Sequence, residues 1–304
     1  MEENKTITNS TSFALASKVK DYFTLIKFTL SFMVVFSTVI SYLLAPNIRF
    51  DIIQVLLLFA GGMLVTGSAN AINQILEKDT DALMKRTAGR PIASGRMSVN
   101  EGWAFVVVSG ALGCYIMYTF SMEAALLSLF SLLLYGFIYT PLKKVNSIAV
   151  LVGAVPGALP CLIGWVASFS EGQENSWMGG WILFAIQFLW QFPHFWAIAW
   201  VAHGDYSKAG FKLLPSDKGP TKFTALQTIM YSALMIPVGM LPYAYKISGE
   251  VSMWILLGCN LFMVFVSIQL FRKMDVASAR KVMFSSYFYL MIVFLSLYAD
   301  KIRP

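Results

Sequence analysis

Asn73, Glu77 and Asp81 fall four residues apart in NQILEKDTDALMKRTAGRPIASGR, residues 73–96. At 3.6 residues per turn each such step drifts by only about 40°, so the three side chains are predicted to share one helix face. An amide and two carboxylates presented together are hard oxygen ligands. They suit Mg²⁺, which takes one or two carboxylates and completes its shell with water and phosphate oxygens. Asp79 points elsewhere on an ideal helix and is expected to orient Lys85 or Arg86. Arg86 and Arg90 are themselves four apart, and guanidinium forks take phosphate oxygens in pairs. Pro91 then ends the helix, because the residue before a proline is pushed out of the helical region. A metal-assisted site for a phosphorylated substrate is one reading of this segment. A solvated loop held by individually weak surface ion pairs is the other.

A second polar set closes WQFPHFWAIAWVAHGDYSKAGFKLLP, residues 190–215, which holds both histidines of the chain. His194 lies in an aromatic helix, with Phe192, Phe195 and Trp196 near it in sequence and Gln191 as a further buried polar group. Pro193 frees a backbone carbonyl one turn earlier. An imidazole inside a membrane span is costly and tends to be functional: it could ligate a metal or a haem iron, or move a proton. A packed, hydrogen-bonded histidine is the alternative. His203 is expected at the hydrated membrane edge, followed by a polar cap of Asp205, Tyr206, Lys208 and Lys212. A third polar element, YGFIYTPLKKVNS (135–147), places Tyr135, Tyr139, Lys143, Lys144 and Asn146 at another helix end.

The elements that must carry these residues are membrane helices. The 304-residue chain is 57% hydrophobic and 13% charged, with a mean hydropathy of +0.65. A soluble chain would carry about 25% charged residues. Apolar windows long enough to span a bilayer, about 20 residues each, fall near 25–45, 52–72, 100–120, 124–140, 147–169, 178–202, 224–244, 251–271 and 281–299. The expected fold is therefore an all-α membrane bundle of about nine helices. A polar tail over 1–24 precedes it, and the window at 124–140 is the shortest. Gly153, Pro156, Gly157 and Pro160 are expected to kink the fifth helix. The first apolar run is too long for a cleaved signal peptide, and Glu2 and Glu3 are unlike a transit peptide. Cys114, Cys161 and Cys259 stand singly in apolar windows and read as small core hydrophobes.

Charge sets the orientation. With the N-terminus cytoplasmic, 19 of the 23 Lys and Arg collect on one face, and Arg49, Lys246, Lys301 and Arg303 remain on the other. The connections on that second face are neutral or acidic, as in SFSEGQENS and KISGE. This is the positive-inside pattern, and it supports an odd helix count. The two main polar caps lie four helices apart and both close with a proline, which suggests a duplicated four-helix unit.

ANAINQILEKDTDALMKRTAGRPIASGRMS resembles the first acidic motif of the UbiA superfamily of intramembrane prenyltransferases, N-x-x-x-D-x-x-x-D followed by R-T-x-x-R-P. WQFPHFWAIAWVAHGDYSKAGFKLLP and YTPLKKVNS resemble the haem-farnesylating branch of that superfamily. The likeness runs from about Lys27 to the last helix. It implies a central cavity capped by cytoplasmic loops in an intramembrane domain over 25–304. It also implies transfer of a farnesyl group from farnesyl diphosphate to a vinyl group of haem b, giving haem O, with Mg²⁺ as cofactor.

On this resemblance Asn73, Glu77 and Asp81 hold the metal, and Arg86 and Lys143 act with them in catalysis. Arg90, Tyr139, Lys144, Asn146, Asp205 and Lys208 contact substrate, with Arg86, Arg90, Lys143 and Lys208 on the diphosphate. His194 orients the haem. The implied setting is a bacterial inner membrane, with haem A synthase as a candidate partner and no nucleic acid. Two departures stand out. Glu77 replaces the usual Asp, and His194 stands in the region where quinone-forming relatives carry paired aspartates. A different prenyl acceptor, a transporter and a non-catalytic haem-binding protein are the competing readings. The absence of a second Asp-rich run argues against the first. Charged residues at helix ends rather than mid-membrane argue against the second, and the carboxylate face argues against the third.

Overall fold

The computed structural model describes residues 17–46, 48–170, 175–216 and 218–302. The remaining positions, among them Glu2, Glu3, Lys5, Arg303 and the middle of the SFSEGQENS connection, lie outside that set. All nine apolar windows correspond to helices. Eight are single helices long enough to cross a bilayer, and a broken pair makes nine among the described residues. In chain order α1 (Ser17–Leu25) and α2 (Phe28–Leu44) form the broken pair, meeting at 52°. Then come α3 (Ile52–Leu76), the short α4 (Lys78–Ala82) and α5 (Val99–Tyr118). Helix α6 (Met122–Leu133) runs through a π-helical turn (Leu134–Tyr139) into α7 (Thr140–Leu142). The second part of the chain holds α8 (Ala149–Val166), α9 (Met178–Val201), the short α10 (His203–Lys208), α11 (Lys222–Ala244), α12 (Glu250–Lys273) and α13 (Val276–Ala299). Residues 17–24 of the expected polar tail thus belong to α1, where Asp21 is buried against Arg96 at 2.9 Å.

Helices α8 and α9 form the inside of the bundle, buried over 78% and 67% of their apolar windows against 22–39% for the other unbroken spans. Small residues on α8 make this possible, since membrane helices gain little from hydrophobicity and pack instead through close backbone approach. A Cβ at Gly164 would overlap the backbone carbonyl of Thr38 on α2, and one at Gly153 would meet the Tyr139 ring. Helix α8 stays a single helix through Pro156 and Pro160. Pro160 leaves the carbonyl of Pro156 without its helical donor, and the Ser131 hydroxyl of α6 donates to it at 3.4 Å. Gln187 and Gln191 of α9 donate to the carbonyls of Gly157 and Ala154 at 2.8 and 2.9 Å. Large apolar side chains such as Val107, Leu126, Phe265 and Phe288 cover the outside. Cys114, Cys161 and Cys259 are unbridged, and Cys161 is buried beside Gln187.

Candidate active site

Three irregularities in the helices build one polar cluster at one end of the bundle. The first is the break between α1 and α2. Lys27 sits there in the left-handed region, φ 48°, which a non-glycine residue adopts only when its surroundings hold it. The carbonyls released by the break find donors on α3: Gln74 reaches Thr24 and Leu25 at 2.9 Å each, and Asn70 reaches Ile26 at 3.2 Å. A bilayer core offers no water to do this, and these amides act together with the Ser31 hydroxyl, which donates to Ile26 O at 2.6 Å. Lys27 Nζ then donates to Asn73 Oδ1 at 2.7 Å.

The second irregularity is Glu77, where α3 ends and α4 begins. Its amide still bonds to Asn73 O at 3.0 Å and its carbonyl accepts from Asp81 at 2.7 Å, so the four-residue stagger survives the break. Asn73, Glu77 and Asp81 are 1%, 4% and 0% exposed, which disposes of the solvated-loop reading. The helix does not continue to Pro91, contrary to the sequence expectation. Helix α4 ends at Ala82, and Thr87 Oγ1 turns back to donate to Asp81 O at 2.9 Å. Arg86 and Arg90 therefore do not share a helix face. Arg90 folds back onto Asp81, whereas Arg86 reaches the Tyr206 hydroxyl of α10 at 3.4 Å with its guanidinium over the ring. Asp79 is exposed, and among the described residues no ion pair joins it to Lys85 or Arg86.

The third irregularity is the π-helical turn at Leu134–Tyr139. Such turns add a residue to the helix and frequently mark functional sites. Here the turn leads into Thr140, which bonds back to Tyr135 O and accepts from Asn73 Nδ2 at 3.2 Å, and into Lys143, which pairs with Glu77. Lys143 Nζ also lies 5.0 Å from the centre of the Tyr139 ring and 5.2 Å from that of Phe211. Its carbonyl accepts from the Lys212 amide at 2.7 Å, tying the loop after α10 to the cluster.

The cluster is thus two buried carboxylates, each held by a base. Burial raises the Asp81 carboxyl above its usual range, against the lowering pull of Arg90. Burial likewise lowers the Lys143 ammonium, opposed by Glu77. The pairing leaves Asp81 Oδ1 buried with no hydrogen-bond partner among the described residues. Tyr206, whose hydroxyl is raised by burial, lies within electrostatic reach of Glu77, Arg86 and Arg90. Lys27, Thr140 and Tyr206 are the members that sequence spacing did not mark as site residues.

Other expected site residues stand apart. Lys144 and Asn146 are exposed, and Asn146 Oδ1 caps the start of α8 by accepting from the Ile148 amide at 3.0 Å. Asp205 is half-buried in the first turn of α10, and Lys208 is exposed at its end. His194 is buried, stacked on Trp190 at 4.7 Å and edge-on to Tyr287 of α13 at 5.0 Å, and its Nδ1 lies 2.8 Å from Ser286 Oγ. Phe192 and Trp196 turn away to Tyr231. His203 is half-buried, 3.4 Å from the Ser207 hydroxyl.

Beneath the cluster an apolar cavity descends between α2, α3, α6 and α8. It passes from Asn70 and Tyr135 by Thr66, Leu132 and Val34 to Met117, Thr38 and Ile163. Seen along α3, the run from Asn70 to Gly62 is about 12 Å deep at 1.5 Å per residue.

The model of the UbiA prenyltransferase family matches residues 34–294. The chain is 45% identical to protoheme IX farnesyltransferase of Cytophaga hutchinsonii, over 95% of this chain and 100% of that one. It is 39% identical to protoheme IX farnesyltransferase of Flavobacterium psychrophilum, over 94% of this chain and 96% of that one. A solved structure concerned with digeranylgeranylglyceryl phosphate synthase shares its fold at a TM-score of 0.77 and 23% identity, covering 93% of this chain and 98% of that one. So does a UbiA homologue from Archaeoglobus fulgidus bound to GPP and Mg²⁺, at a TM-score of 0.66 and 16% identity, covering 91% and 99%. A multi-pass helical bundle, a buried carboxylate–base cluster over an apolar cavity, and a family model that spans most of the chain agree: this chain belongs to the UbiA prenyltransferase family.

Proposed function

We propose that the chain transfers the farnesyl group of farnesyl diphosphate to a vinyl group of haem b, giving haem O. The reaction type comes with the family, and the acceptor with the names of the full-length relatives. The observation that carries the site is the pair of buried ion pairs, Asp81–Arg90 and Glu77–Lys143, set directly above an apolar cavity. Breaking an allylic C–O bond sends its electron pair onto diphosphate, the vinyl π electrons form the new C–C bond, and the carbocation this leaves on the former vinyl group takes a water molecule, which then loses a proton. The catalyst must therefore stabilise charge growing on phosphate oxygens, and fixed charges do so best where water is excluded.

A divalent cation fits the residues present. Asp81 Oδ1 is a buried oxygen with no partner among the described residues, and Glu77 and Asn73, held by Lys143 and Lys27 in the free protein, carry further oxygens on the same stagger. Two carboxylates and an amide are a donor set for Mg²⁺, which uses substrate phosphates to complete its shell. When bound, the ion would neutralise charge on the departing diphosphate. The chain's own residues do the rest. Arg90 keeps Asp81 Oδ2 on Nη1 and offers its remaining N–H donors to phosphate oxygens, while Lys143 turns from Glu77 to a phosphate oxygen with substrate bound. Arg86 reaches in from the loop and Lys27 holds Asn73. Lys208, Lys144, Asn146 and Asp205 contribute from the rim as substrate contacts that close over the site. Tyr135 and Tyr139 wall the allylic carbon from water until the new C–C bond has formed, and the prenyl tail fills the cavity that ends at Met117.

On this reading the site faces the cytoplasm of a bacterial inner membrane, an orientation that the distribution of Lys and Arg supports. The segment 25–304 works as one intramembrane domain, and haem A synthase is a fitting acceptor of the product. Purified protein given haem b, farnesyl diphosphate and Mg²⁺ should yield a farnesylated haem by mass spectrometry. Failure to form that adduct under these conditions, with the protein folded, overturns the reading.

A further inference from the structure

His194 and Ser286 meet across the contact between α9 and α13, and their hydrogen bond fixes more than a distance. A serine hydroxyl has one proton to give. Ser286 Oγ lies 2.6 Å from the carbonyl of Met283, which can only accept, so the proton lies there. The contact from His194 Nδ1 to Ser286 Oγ at 2.8 Å must then run the other way, with Nδ1–H donating. The network assigns the tautomer: Nδ1 carries the proton, and Nε2 keeps a free lone pair. Nε2 has no hydrogen-bond partner among the described residues, and 8% of the residue's surface remains open.

The rest of the setting holds that lone pair in one direction. Trp190 stacks on the imidazole with an interplanar angle of 17°. The Trp190 indole N–H donates at 2.8 Å to the backbone carbonyl of the same Ser286. One residue thus anchors both rings, His194 through its hydroxyl and Trp190 through its carbonyl. Tyr287, the next residue, is edge-on to His194 at 5.0 Å and senses the Arg86 charge.

We infer that Ser286 is a positioning residue that holds His194 with Nδ1 protonated and Nε2 presented as an axial ligand to the iron of the haem substrate. Histidines that bind metals commonly donate their second ring N–H to a fixed oxygen, which sets the tautomer and the basicity of the ligating nitrogen. This rests on haem b being the acceptor.

The test is the iron–histidine stretching band of the ferrous protein–haem complex, recorded by resonance Raman. Wild type should show the band. His194→Gly should lose it and regain it with added imidazole, whereas His203→Ala should keep it. Ser286→Ala retains the carbonyl that anchors Trp190, so its fold is expected to survive; its band should fall to lower frequency, with KM for haem raised more than kcat is lowered. Ser286→Thr should restore the wild-type band. An unshifted band in Ser286→Ala, or an intact one in His194→Gly, overturns the inference even where farnesylated haem is still formed. A histidine-ligated haem that is never farnesylated would sink the proposed reaction and leave this assignment standing.

Discussion

Arg90 Nη1 lies 2.6 Å from Asp81 Oδ2, while Asp81 Oδ1 has no partner among the described residues, so half of one buried carboxylate is committed and half is open. The arrangement separates two duties that would otherwise compete, fixing the carboxylate and offering an oxygen to a cation. Asp81→Asn keeps an oxygen for Arg90 but removes the charge. Turnover should fall by about 10²–10³-fold, the usual cost of losing a group that stabilises developing charge. Raising Mg²⁺ should not recover it. Near-normal turnover of Asp81→Asn in a steady-state assay would refute the metal assignment.

Lys143 and Glu77 are both buried, and among the described residues neither has another partner of opposite charge in hydrogen-bonding contact. Lys143→Met strands the Glu77 charge, and breaking a buried pair this way costs about 3–5 kcal/mol. The double variant Glu77→Gln/Lys143→Met carries no stranded charge and should regain most of the lost thermal stability while staying inactive. If the single variant melts at the wild-type temperature, the pair is not buried in the way described.

The positions of the helices were readable from apolar window length, because a bilayer fixes how long a spanning segment must be. The one long-range feature that spacing captured was the face of Asn73, Glu77 and Asp81, which survives because the i→i−4 bonds persist through the break at Glu77. Extending helical periodicity to Arg86 and Arg90 failed, since a side chain and a carbonyl (Thr87 and Asp81) end the helix without any proline. Lys27, Thr140, Tyr206 and Ser286 were not legible as site residues. Each acts through a partner far along the chain, 46 residues for Lys27–Asn73 and 92 for Ser286–His194, and periodicity carries no information at that range. One cue for Lys27 was available, a lone charge at the head of the first apolar run.

Gly164 lets α2 and α8 approach until a Cβ would overlap the Thr38 carbonyl, and a backbone atom cannot move aside as a side-chain tip can. Gly164→Ala should therefore destabilise by about 1–3 kcal/mol, the range for overpacking. Gly258 on α12 faces open space. Gly258→Ala should be neutral or stabilise by up to about 1 kcal/mol through helix propensity alone. Melting temperatures of the two variants in the same detergent check the contrast, and equal shifts would remove the argument that the α2–α8 contact is limiting.

Met117 is 1% exposed and stands at the deep end of the apolar cavity, level with Thr38 and Ile163. If the prenyl tail descends from the cluster, its far end meets this side chain, and the space beyond sets the longest chain that fits. Met117→Ala removes the stop at a stability cost of about 2–5 kcal/mol for a buried large-to-small change. A single added methylene changes preference by about 10–200-fold at most in apolar pockets, so a whole isoprene unit should be discriminated clearly by wild type. With farnesyl and geranylgeranyl diphosphates in competition, wild type should make mainly the farnesylated haem and Met117→Ala should shift the product ratio toward the longer chain. An unchanged ratio in a folded, active variant would mean that the tail takes another path out of the site.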